Sequence, residues 1–131
     1  MKRNKNPKWR IIQLEITKAL EIYQIDYKLP KDIKTIKGIY FSIKEILSLN
    51  DVKKKQLGEL SLLFNSKQEH PLHYTIDYTT ELPYKFKPLK LNVDIEPYLN
   101  ITGFYIDTAL TVDDAGQMKP YTVMIYLECY Q

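Results

Sequence analysis

The chain reads as an all-β protein: an antiparallel β-sandwich of about eight short strands with one short helix, of which a jelly roll is one form. Three features predict this. Apolar residues recur at every second position in short runs, and those runs are rich in Ile, Val, Tyr, Phe and Thr, the residues that suit a pleated, half-buried surface. The runs are punctuated by Pro, Asn and Asp, with no alternation of long helical stretches and strands.

Residues 1–10 read as a basic N-terminal arm and residues 11–131 as a single domain. The arm carries Lys2, Arg3, Lys5, Lys8 and Arg10 with no acid, contains Pro7, has no apolar period, and ends at Trp9. Ile11 to Leu29 fits either a helical stripe or two strands. Its β-branched and aromatic content decides for strands, with Ile12, Leu14 and Ile16 on one face of the first and Tyr23, Ile25, Tyr27 and Leu29 on one face of the second. After a break at Pro30-Lys31-Asp32, Thr35 to Ile43 forms a third strand with Ile39, Phe41 and Ile43 together. Ser42-Ile43-Lys44-Glu45 has capping-box spacing, which predicts the short helix over Ile46 to Leu49.

Gly58 opens a further strand on which Leu60, Leu62 and Phe64 alternate with Glu59, Ser61 and Leu63, ahead of the polar loop Asn65 to Glu69. Leu72, Tyr74, Ile76 and Tyr78 then alternate against His73, Thr75, Asp77 and Thr79, as half-buried antiparallel sheet requires. Tyr84 and Phe86 continue the pattern, and Leu89, Leu91, Val93 and Ile95 give its cleanest instance, ended by Pro97. Ile101 to Val112 and Tyr121 to Tyr130 read as a β-hairpin around Asp113-Asp114-Ala115-Gly116, a type I turn with a bulge. On that reading Phe104, Ile106, Leu110 and Val112 face the core from one strand, and Val123, Ile125, Leu127 and Cys129 from the other. The opposite faces carry Tyr105, Met124, Tyr126 and Tyr130.

The formal charge of +3 is uneven. The five bases of the arm leave 14 bases against 16 acids elsewhere, so a slightly acidic body carries a basic arm. The single Cys129 sits at a core-facing strand position and reads as a small buried hydrophobe. No apolar run approaches the roughly 18 residues of a membrane span, and Glu15 and Lys18 interrupt the first apolar stretch, so the expectation is a protein made in the cytoplasm without membrane contact.

Chemistry-bearing residues are sparse. His70 and His73 are an odd number of positions apart on or near a strand, so their rings diverge, and Pro71 stiffens the approach. Ser42, Ser48, Ser61 and Ser66 lie in no nucleophile-elbow setting, and four glycines build no phosphate loop. The expectation is therefore no enzyme, no metal and no cofactor. The eleven tyrosines carry more information, because Tyr offers large apolar area with few rotors and a polar tip, which suits a subunit contact.

Leu29-Pro30-Lys31-Asp32-Ile33-Lys34-Thr35-Ile36-Lys37-Gly38-Ile39, Leu57-Gly58-Glu59-Leu60-Ser61-Leu62, Ile101-Thr102-Gly103-Phe104-Tyr105-Ile106-Asp107 and Pro120-Tyr121-Thr122-Val123 are similar to stretches of the β-rich virion proteins of tailed phages of the gut Bacteroidetes group. The resemblance implies a capsid, decoration or tail-ring subunit made in a bacterial host, binding copies of itself and neighbouring virion proteins. Candidate contact residues are Lys2, Arg3, Lys5, Lys8 and Trp9 of the arm, through which nucleic acid is also a conceivable partner, and Tyr105, Met124, Tyr126 and Tyr130 of the hairpin. Two alternatives compete. A nucleic-acid-binding β-barrel would stack bases on Tyr, Trp9 and Phe beside Lys85, Lys87 and Lys90; a carbohydrate-binding module would need exposed coplanar aromatics.

Overall fold

The computed structural model of the chain describes residues 6–44, 56–77, 89–98, 100–108 and 120–131. These contain eight strands: β1 (Lys8–Ile16), β2 (Ile22–Tyr27), β3 (Thr35–Lys44), β4 (Gln56–Leu63), β5 (Leu72–Asp77), β6 (Leu89–Asp94), β7 (Ile101–Asp107) and β8 (Tyr121–Tyr130). They form two four-stranded antiparallel sheets, ordered β1-β8-β3-β6 and β2-β7-β4-β5. Each sheet turns one face to a shared core, in which Ile12, Ile36, Phe41 and Ile125 of the first meet Ile25, Leu60, Ile76 and Tyr105 of the second. Phe41 and Tyr74 close that contact with ring centroids 5.1 Å apart. The predicted alternation on β1 to β5 matches the buried positions. The helix expected over Ile46 to Leu49, the turn Asp113 to Gly116, and Tyr78, Tyr84, Phe86, Leu110 and Val112 lie outside the described residues.

Two backbone irregularities let more apolar residues face inward than strict alternation allows. A bulge between Ile36 and Gly38 puts Ile36 on the same face as Ile39, Phe41 and Ile43, and all four are buried. A second, between Gln56 and Gly58, leaves Leu57 and Leu60 both fully buried. Gly58 is required there, because a Cβ at that position would meet the Tyr105 hydroxyl oxygen at 2.2 Å and the Ile106 carbonyl oxygen at 2.5 Å.

Four expectations are corrected. The stretch from Ile101 to Tyr130 is not a hairpin: β7 pairs with β2 and β4 in one sheet, and β8 with β1 and β3 in the other. The face of β7 is also inverted. Ile101, Tyr105 and Asp107 point into the core, while Phe104 and Ile106 are only half-buried on the outside. Lys8, Trp9 and Arg10, read as part of the arm, belong instead to β1, which begins at Lys8. On β6, Leu91 and Val93 pack on the core, but Leu89 at its start is 52% exposed.

The inversion of β7 has a polar cause. Asp107 is completely buried: Tyr121 donates its hydroxyl proton to Oδ1 at 2.5 Å, and the Leu20 amide donates to Oδ2 at 3.0 Å. With its proton given to Asp107, the Tyr121 oxygen accepts from the Tyr105 hydroxyl at 2.8 Å, so Tyr105 and Asp107 of one sheet grip Tyr121 of the other. Leu20, held at φ 59°, lies in the β1–β2 connection, which Tyr23 fixes by accepting from the Thr17 and Lys18 amides and donating to the Lys18 carbonyl. A buried polar group with all its partners specifies one arrangement; the same group outside the core would specify none.

Two outcomes follow. Gly58→Ala should cost roughly 1–3 kcal/mol or more, as overpacking against fixed backbone does, measured by urea melts. Burial raises the Tyr105 and Tyr121 hydroxyls above the ordinary 10.0, Tyr121 further through its neighbour Tyr105 and its bond to Asp107. Groups whose folded value is raised stabilise fully below pH 10, where the unfolded chain is also protonated, and that stability is lost as pH climbs beyond it. Each contributes a slope of about 1.4 kcal/mol per pH unit. The melting temperature should therefore fall steeply above pH 10, and less steeply in Tyr105→Phe; equal slopes would mean that the hydroxyl is not confined.

Candidate interface on the outer face of the β1-β8-β3-β6 sheet

The cross-strand register arranges the outer face of this sheet in rows. Ile11, Tyr126 and Tyr40 lie side by side on β1, β8 and β3; Trp9, Glu128 and Gly38 form the row toward the start of β1; Gln13, Met124 and Ser42 form the row on the other side. In the middle row the Tyr40 and Tyr126 rings meet at 5.7 Å between centroids, tilted by 54°. Tyr126 does not stand upright. Its hydroxyl reaches the Met124 sulfur at 3.8 Å and lies 3.4 Å from the Ser42 hydroxyl, so the ring lies along β8 over the next row. Met124 and Ser42 are accordingly buried at 7% and 9% exposure although they sit on an outward face. The result is a partly apolar surface bordered on β1 by Trp9, 37% exposed, and Ile11, 43% exposed.

Of the residues singled out from the sequence, Trp9, Met124, Tyr126 and Tyr130 are brought onto this one face. Tyr130 is half-buried there, with the Lys37 ammonium 5.1 Å from its ring centre. Tyr105 is a correction: it is fully buried between the sheets, where its hydroxyl binds Tyr121, and is unavailable to a partner. Lys8 points to the inner side of β1 and forms an ion pair with Asp32 at 3.3 Å. Lys2, Arg3 and Lys5 lie outside the described residues, as do Lys85 and Lys87. Ile11 and Tyr40 complete the surface and were not singled out. The signal for Ile11 was present, because of two adjacent isoleucines on a strand, Ile11 and Ile12, one must face outward; Tyr40 required the β3–β8 register.

The other sheet carries the densest chemistry on its outer face. Ser61 Oγ lies 3.3 Å from His73 Nδ1, and His73 Nε2 lies 3.8 Å from Glu59 Oε1. Ser61 is on a strand paired on both sides, so the amides around it are engaged in the ladder and none forms an oxyanion pocket. The trio ties β4 to β5. Cys129 is fully buried, and burial pushes its thiol up to about 11, against nucleophilic use. Among the described residues no three His, Cys, Asp or Glu side chains gather to hold a metal ion, and no helix is long and apolar enough to cross a membrane.

Neighbours on β8 should separate sharply. Leu127→Ala opens the core and should cost roughly 2–5 kcal/mol in a urea melt, whereas Tyr126→Ser removes a half-exposed ring and should cost about 1 kcal/mol. Equal losses would place Tyr126 in the core.

Compared with known proteins, the chain matches no family model, no curated protein and no solved structure.

Proposed function

We propose that the protein is a structural assembly subunit, a jelly roll whose β1-β8-β3-β6 face binds copies of itself or neighbouring proteins of a larger particle, such as a phage capsid, decoration or tail ring. The observation that carries this reading is the partly apolar outer face of Ile11, Tyr40 and Tyr126, with Trp9 exposed at its border. An aromatic-rich surface with a polar surround is the composition of the buried centre of a protein contact.

The jelly-roll reading is supported by the pairing itself. β1 pairs with β8, β2 with β7, β3 with β6 and β4 with β5, the pattern of one long antiparallel ribbon rolled so that its two halves alternate between sheets. Such a fold offers two broad sheet faces and serves particle assembly by repeating them. The resemblance of the Leu29 to Ile39 and Ile101 to Asp107 stretches to phage virion proteins points the same way.

Ile11→Asp tests the reading. A charge on the exposed β1 border of the surface should lower association at least about tenfold by sedimentation velocity while leaving the melting temperature within a few degrees of the parent. A parent chain that sediments as a monomer at high concentration, alone and with its neighbours in a particle, would overturn the proposal. Binding of single-stranded nucleic acid or a glycan that Ile11→Asp abolishes would replace it with one of the stacking alternatives.

A further inference from the structure

The same face is divided by charge. On its β1 and β8 half the charged residues are Glu15 and Glu128; on its β3 and β6 half they are Lys37, Lys44 and Lys90, with Asp94 at the far corner as the exception. A shape accompanies the division. Trp9 stands exposed at the β1 border of its row, and at the opposite border of the same row, where Gly38 pairs with Lys90, a shallow, open groove is lined by Lys37, Lys90, Leu91, Asn92, Glu128 and Tyr130.

Resting on the assembly reading above, we propose that the occupant of this face is the same face of a second copy, related by a two-fold axis that runs parallel to the strands between β8 and β3. Such an axis exchanges left and right within each row. It lays Tyr126 over Tyr40 of the second copy and sets Glu128 against Lys37. It also brings Trp9 over the groove beside Lys90, where an indole face meets an ammonium. Each contact occurs twice, as a self-complementary patch requires. An axis perpendicular to the strands would instead set rows of different character against each other and leave the lysine half facing lysine. Strands of nine, ten, ten and six residues, about 4.8 Å apart with about 3.4 Å per residue, give roughly 570 Å² per copy and roughly 1,100 Å² in the pair, the size of a weak, reversible interface. The pairing is therefore a reversible dimer.

Trp9 is the chain's one tryptophan, so its fluorescence reports this contact directly. Concentrating the wild-type protein should shift Trp9 emission to the blue along the same curve as the rise in sedimentation coefficient. Glu128→Lys and Lys37→Glu should each weaken the dimer at least about tenfold, and the double exchange should restore it. Near-ultraviolet circular dichroism confirms that each variant is folded; if one is not, Lys90→Glu takes its place with the same expected loss. A dimer whose Trp9 emission does not move, or that survives both single exchanges, overturns this pairing and leaves assembly to another surface. A chain that is monomeric at every concentration and also ignores its neighbours in a particle overturns the assembly reading itself. Single exchanges that weaken the dimer without restoration in the double also overturn the pairing, because Glu128 and Lys37 are then not opposite.

Discussion

Asp107 could not be buried without Tyr121, and the two sheets are positioned by that demand. An acidic side chain removed from water needs donors, and here they come from β8 and from the connection between β1 and β2. Satisfying it fixes which face of β7 turns inward, places Tyr105 beside Gly58, and forces β7 and β8 to face one another across the core instead of lying side by side. Apolar contacts such as Phe41 with Tyr74 fill the space, but they tolerate sliding. The hydroxyl pair and its acid do not.

The same arrangement accounts for the surface. With Val123, Ile125, Leu127 and Cys129 committed to the core, the intervening positions of the central strand β8 must face outward, and they are Met124, Tyr126, Glu128 and Tyr130. A central strand has neighbours on both sides, so its outward side chains lie in a continuous layer with those of β1 and β3. Tyr126 lying over Met124 covers the next row of that layer. A broad, partly apolar sheet face is suited to meeting another such face.

Much of this was legible in the residues. All eight described strands fall in stretches that alternation marks as strands, including the choice of strand over helix between Ile11 and Leu29. What failed was anything that depended on distant partners. Phe104 and Ile106 are more apolar than Tyr105 and Asp107, so local hydrophobicity assigns β7 the wrong face; only the meeting with Tyr121 and Leu20 reverses it. The apparent hairpin failed for a related reason, since two strands adjacent in sequence and joined by an Asp- and Gly-containing segment resemble a pair whether or not they share a sheet. Of the surface, Tyr126, Tyr130 and Trp9 were visible as aromatic residues at outward or terminal positions. Their neighbours Ile11 and Tyr40 became visible only through the register that joins β1, β8 and β3.

The place of β8 between β1 and β3 bears on the order in which the chain can fold. During synthesis β8 is the last of the eight described strands to leave the ribosome, yet among the described strands β1, the first, pairs with β8 alone. Until β8 emerges, β3 has, among the described strands, β6 beside it on one side, and Asp107 lacks the hydroxyl that completes its burial. The ribbon of β4 with β5, flanked later by β7 and β2, is the half that can assemble first. The nascent protein thus waits with the core residues Ile12 and Ile16 of β1 uncovered and closes its second sheet in a late step that joins its two most distant strands, the slow kind of event in β topologies.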